Sequence, residues 1–112
     1  MTDLTFLRQF TQGNPDKMKK YIGIFLQTAP GMLDKMKEAL NRQDFETIRI
    51  TAYSLKPQMA YMGIQSQEQA IKDIESYAGN SSQWSKIPFM LNNYDIEIRK
   101  ALEQLTLEYQ KL

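Results

Sequence analysis

Apolar residues along this chain recur every three or four positions almost throughout, and nowhere do they alternate with a sustained period of two. That spacing predicts amphipathic helices and no β-hairpin. Leu4, Leu7 and Phe10 share one face of a short first element, which Gly13 ends. Asn14 reads as an N-cap, with Pro15 at the first helical position and Asp16 in the first turn. The second helix then carries Met18, Ile22, Phe25, Ala29, Leu33, Met36 and Leu40 as its stripe. Pro30 removes a backbone N–H from its middle, which predicts a kink or a split near Thr28. The stripe stays in phase across the proline, which favours the kink.

Asn41-Arg42-Gln43 reads as a turn and Asp44 as the cap of a third helix. The third stripe is Phe45, Ile48, Ala52, Leu55, Met59 and Met62, and Gly63 suits the residue just past a helix end. Ser66, with Gln69 three positions on, has the form of a capping box. It would open a fourth helix bearing Ala70, Ile71, Ile74 and Ala78, closed by Gly79. Ser85 is the expected cap of the last helix, with Pro88 tolerated in its first turn. That helix carries Ile87, Leu91, Tyr94, Ile98, Ala101 or Leu102, Leu105, Tyr109 and Leu112. Trp84, near its start, is expected to cap the end of the bundle. Short connections between long amphipathic helices imply antiparallel neighbours. The expected fold is all-α, an antiparallel up-down-up-down four-helix bundle with a short N-terminal cap helix, in one domain over residues 1–112.

Composition narrows the function more than the fold. The 112 residues are 42% hydrophobic and 24% charged, enough for one core without staples. Fourteen basic against thirteen acidic residues leave a net charge of +1, against a dedicated nucleic-acid binder. There is no cysteine and no histidine. Disulfides, thiolate chemistry, a Ser-His-Asp triad and imidazole metal sites are thereby excluded. The five glycines are isolated, so no phosphate-binding loop is present. Asp73 and Glu75, like Asp95 and Glu97, are two apart and point in different directions, as solvated helix faces do. The expectation is a binding module that is not an enzyme, with no cofactor and no metal. Met1-Thr2-Asp3-Leu4 does not open a signal peptide, and no apolar run is long enough to span a membrane. A cytoplasmic location, no membrane contact and a monomer are expected.

The third helix carries a second apolar stripe. At roughly 100° per residue, Tyr53 lies about 130° from the centre of its core stripe, with Ile50 and Pro57 nearly opposite that centre. Ala60 and Tyr61 also point away from the core, and Arg49 and Lys56 flank the set. A bundle helix normally shows polar residues there, and a contiguous apolar, aromatic and basic patch suits a protein interface. Alternatively, the cap helix or the second helix covers this face. Pro57 stands four residues after Tyr53 and so deletes the helical hydrogen bond to its carbonyl.

Ala52-Tyr53-Ser54-Leu55-Lys56, followed by Gly63, resembles the signature of histidine-phosphotransfer domains, Ala-His-Ser-Leu-Lys-Gly-Ser with a further glycine ending the segment. Phe25-Leu26-Gln27-Thr28-Ala29-Pro30, Leu33 and Ala39-Leu40 are similar to that family's second helix, and Asp44 stands where its central helix starts. The resemblance implies a phosphorelay scaffold whose exposed histidine exchanges a phosphoryl group with receiver-domain aspartates. It implies that a lysine matching Lys56 helps hold the phosphoryl charge. At the phosphoacceptor position stands Tyr53, while Pro57 replaces the usual glycine and Gln58 a small residue. A phenol ionises only near pH 10 and cannot form the labile N–P bond that makes transfer reversible. The expected function is therefore docking of a response-regulator receiver domain or a hybrid histidine kinase without phosphotransfer, through Arg49, Ile50, Tyr53, Lys56, Pro57, Ala60 and Tyr61. Charge layout agrees: seven basic and four acidic residues precede Asp44, and seven and nine follow from it, so the first part can complement an acidic partner. Two alternatives stay open. One is a working phosphotransfer protein seen with a His-to-Tyr substitution at position 53. The other is an unrelated helical interaction module.

Overall fold

The computed structural model describes residues 2–112. Its elements are α1 (Thr5–Phe10), α2 (Pro15–Asn41), α3 (Phe45–Tyr61), α4 (Gln65–Ala78), a 3₁₀ segment (Ser81–Lys86) and α5 (Ile87–Lys111). Among the described residues no strand forms. Helices α2 to α5 each pack on their chain neighbours, and α5 closes the ring against α2. The product is a four-helix bundle about 45 Å long and 19 Å across, with α1 laid against α3. The expected stripes form one core, with Met18, Ile22, Met36, Ile48, Leu55, Met59, Ile71, Ile74 and Leu105 fully buried.

Local chemistry sets the helix ends. The Asn14 side chain accepts from the N–H groups of Asp16 and Lys17, and Asp44 accepts from that of Thr47 at 3.1 Å. The Thr47 hydroxyl and N–H together hold the Asp44 carboxyl below its ordinary pKa. Helix α2 runs unbroken through Pro30, which rules out the split, because its in-phase stripe stays buried on both sides. Trp84 stacks on Phe45 at 4.1 Å and donates its indole N–H to the Ala78 carbonyl at 2.9 Å, closing one end as expected.

Five boundary or face expectations need correction. Helix α4 begins at Gln65 with no side-chain cap, so Ser66 lies inside the first turn and the Ser66–Gln69 box does not form. The end of α3 determines this: Gly63 takes φ +64°, Gly63 N–H donates to Ala60, and Ile64 N–H donates back to Met59 at 2.9 Å. That motif buries Ile64 and starts the next helix one residue later. Ser85 likewise caps nothing, because the Trp84 anchor tightens its segment into a 3₁₀ turn capped instead by Asn80. Phe10 is exposed and Thr11 takes the buried place beneath α1, its hydroxyl donating to the Leu7 carbonyl. Tyr109 is exposed at the end of its stripe, and Leu40 is only half-buried because Ala39 beside it takes the buried place at that turn.

The paired carboxylates are not simply solvated. Glu75 reaches Lys56 on α3 at 2.7 Å. Asp95 pairs with Lys37 on α2 and with Arg99 at 2.6 Å. Burial acts against the Asp95 charge, but these two cations hold its carboxyl below the ordinary value. Asp73 and Glu97 keep only local partners on their own helices.

Two predictions follow from the packing. A Cβ at Gly63 would sit 1.7 Å from the Asp3 carbonyl oxygen, and Asp3 N–H donates to the Gly63 carbonyl at 2.9 Å. Gly63→Ala should therefore destabilise by more than about 1 kcal/mol, from positive φ and from displacement of the N-terminal backbone, as read by urea unfolding. Tyr94 is wholly buried and no protein group partners its hydroxyl, so burial raises its pKa. A raised acid pKa means that the unfolded chain loses the proton first, so stability falls as pH rises above about 10. The slope from this group approaches about 1.4 kcal/mol per pH unit, and Tyr94→Phe should flatten it by that amount in denaturant melts at alkaline pH.

Candidate functional site

Helix α3 is rotated by its buried stripe. With Ile48, Ala52, Leu55 and Met59 turned inward, Ile50, Tyr53, Pro57 and Ala60 form an exposed crest. Tyr53 is 60% exposed and Ile50 51%, so no neighbouring helix covers the middle of this face. On the α4 side of the crest lie Arg49 and Lys56, half-buried. Arg49 makes a two-pronged pair with Glu46 at 2.6 and 2.9 Å, which holds its proton more firmly than usual and the Glu46 carboxyl below its usual pKa. Lys56 pairs with Glu75, and its ammonium lies 4.9 Å from the centre of the Tyr53 ring. The lysine that the resemblance implies for phosphoryl charge is thus already engaged from two sides. Helix α3 continues through Pro57, which has no N–H to give the Tyr53 carbonyl.

At Tyr61 the cap helix does intervene. Phe6 and Phe10 stand 5.4 and 6.2 Å from the Tyr61 ring, and Phe10 lies edge-on to Tyr21 at 5.7 Å. The rings cover Tyr61 only in part, leaving it 43% exposed. Beside them an apolar groove of about 420 Å³ runs between α1, α2 and α3, with Ile24, Met32 and Gln58 along its walls. The crest therefore continues through Tyr61 into the groove and ends at the exposed Ile24. All seven proposed contact residues lie on this one side of α3, spread across the crest and its two flanks.

Sequence reasoning missed Phe6, Phe10, Tyr21 and Ile24 as parts of this surface. Ile24 was legible, because it sits off the core stripe of α2 in a place that normally holds a polar residue. Phe10 was not, because its spacing from Leu7 fits a core position. Phe89, Ile96 and Leu107 are also exposed but lie along α5, which packs on α2 and α4. No group of three or more carboxylates able to hold a metal occurs among the described residues.

No protein-family model matches the sequence, and no curated protein matches it. The structure is similar to the crystal structure of histidine-containing phosphotransfer protein B (HptB) from Pseudomonas aeruginosa PAO1. The TM-score is 0.88, over 99% of this chain and 96% of that one, at 20% identity. The chain has the histidine-phosphotransfer fold. The bundle and short N-terminal helix expected from periodicity are those of this fold. The Pseudomonas protein is named as histidine-containing, whereas this bundle of the same fold has no histidine at all.

The ring cluster makes its own prediction. Each aromatic pair contributes about 0.5–1.5 kcal/mol beyond the area it buries. Tyr61→Ala should loosen α1 selectively: its amides should exchange faster by hydrogen exchange, while the core amides of α3 and α4 keep their protection.

Proposed function

We propose that this chain is a phosphorelay docking module that binds a receiver domain or the receiver of a hybrid kinase and carries no phosphoryl group. One observation supports it above the others: in a histidine-phosphotransfer fold lacking histidine, the side of α3 centred on Tyr53 is exposed and apolar and runs on into a groove. A solvent-facing crest of this kind marks an interaction surface. Exposure of Tyr53 also weighs against an unrelated bundle that uses this helix only as core. Tyrosine at the acceptor position removes the reversible N–P chemistry and keeps a large amphipathic ring of the kind that anchors interfaces. Among the described residues no helix is long and apolar enough to cross a membrane.

The test is titration of receiver domains onto isotopically labelled protein. Resonances of Ile50, Tyr53, Pro57, Tyr61 and Ile24 should shift, and those of α5 should not. Tyr53→Ala should weaken binding by about 2 kcal/mol, roughly thirtyfold in Kd, whereas Phe89→Ala should leave it unchanged. Phosphorylated receiver should pass no phosphoryl group to the wild-type chain. If no receiver shifts the α3 crest, the docking reading fails. If Tyr53→His alone restores full phosphoryl uptake, the chain is a transfer protein altered at one position.

A further inference from the structure

The two cations bordering the Tyr53 crest are both paired with carboxylates of this chain. Arg49 is held by Glu46 one turn earlier on α3. Lys56 is held by Glu75, which reaches across from α4 in a pair whose side chains are 31% and 20% exposed. The same ammonium lies against the Tyr53 ring, so aromatic face and carboxylate grip it from two directions. A surface pair between two free side chains contributes little, but this one is partly buried and its ammonium also lies against an aromatic ring. An incoming phosphoryl group would have to draw Lys56 off Glu75. That would leave a carboxylate unpaired, partly buried and beside new negative charge, the arrangement that makes breaking such pairs unfavourable.

We propose that Glu75 is a positioning residue that sets the selectivity of this face. It holds Lys56 against Tyr53, so that both cations α3 places beside the crest, Arg49 and Lys56, are already engaged. The face is thereby committed to the apolar rim of a receiver domain, irrespective of whether that receiver's aspartate is phosphorylated. This deepens the docking reading and rests on it for the identity of the partner. The engagement of Lys56 by Glu75 stands on the ion-pair geometry alone.

The experiment has two arms, one independent of any partner. In the first, inorganic phosphate is titrated onto labelled wild-type protein and onto Glu75→Gln while the Lys56 side-chain ammonium resonance is followed. Wild type should not respond up to tens of millimolar, and the variant should show a saturable shift. A Lys56 response of equal size in both proteins overturns the role of Glu75, whatever happens with receivers. In the second arm, a receiver that shifts the α3 crest is measured with and without beryllofluoride, a mimic of the phosphorylated aspartate, at low and high sodium chloride. Wild-type affinity should change less than threefold with either variable. Glu75→Gln should bind the beryllofluoride form at least fivefold more tightly and lose that preference in salt. A tenfold preference for the beryllofluoride form in wild type overturns the proposal while leaving docking intact. Failure of every receiver to bind wild type overturns the docking reading and the partner half of the proposal together. Matching thermal midpoints for the two proteins exclude a folding defect as the cause.

Discussion

The orientation of α3 about its own axis is the constraint on which the rest depends. Ile48, Leu55 and Met59 are fully buried, and each contributes about 1.5–3 kcal/mol by leaving water, so a rotation that exposed them would cost several kcal/mol. Turning Ile50 and Tyr53 inward instead would return part of that, but would place Arg49 and Lys56 nearer the core and carry Lys56 away from Glu75 on α4. Ala52, wholly buried, lets the backbone of α3 lie close to its neighbours without a gap. The crest is exposed because the opposite side is committed. Its apolar character is then a property of the residues, independent of what holds the bundle together.

Around that helix the remaining elements act as borders. Gly63, in a left-handed conformation, brings the Asp3 backbone within hydrogen-bond distance of the end of α3. That contact tethers the segment leading into α1, whose two phenylalanines reach Tyr61 and form one wall of the groove. On the other flank α4 supplies Glu75, which pairs with Lys56 beside the crest. The same helix is thus edged by an apolar groove on one side and by paired charges on the other. A partner meeting it encounters exposed apolar area.

Much of this was legible along the chain. Stripes at three- and four-residue spacing identified nearly every fully buried side chain, because a helix in a small bundle must place its apolar residues on one side to bury them at all. Asn14 and Asp44 were legible as caps because their side chains act on backbone groups two or three residues away. Ser66 and Ser85 were misread for the complementary reason. Each had the local pattern of a cap, but a turn defined by longer contacts, Ile64 folding back on Met59 and Trp84 anchoring to Ala78, moved the helix start away from it.

The crest of α3 could be read from periodicity, since departure from a polar outer face is visible in one helix taken alone. The groove beside it could not, since Phe6, Phe10, Tyr21, Ile24 and Tyr61 come from three elements and share no spacing. The same holds for Glu75 and Lys56, nineteen positions apart. Local sequence determined which residues each helix buries, where most helices begin, and that position 53 carries a phenol. Tertiary packing alone decided which flank of that phenol is apolar and which cation beside it is already occupied. Those properties arise from the meeting of separate helices, and the periodicity of any single helix carries no record of its neighbours.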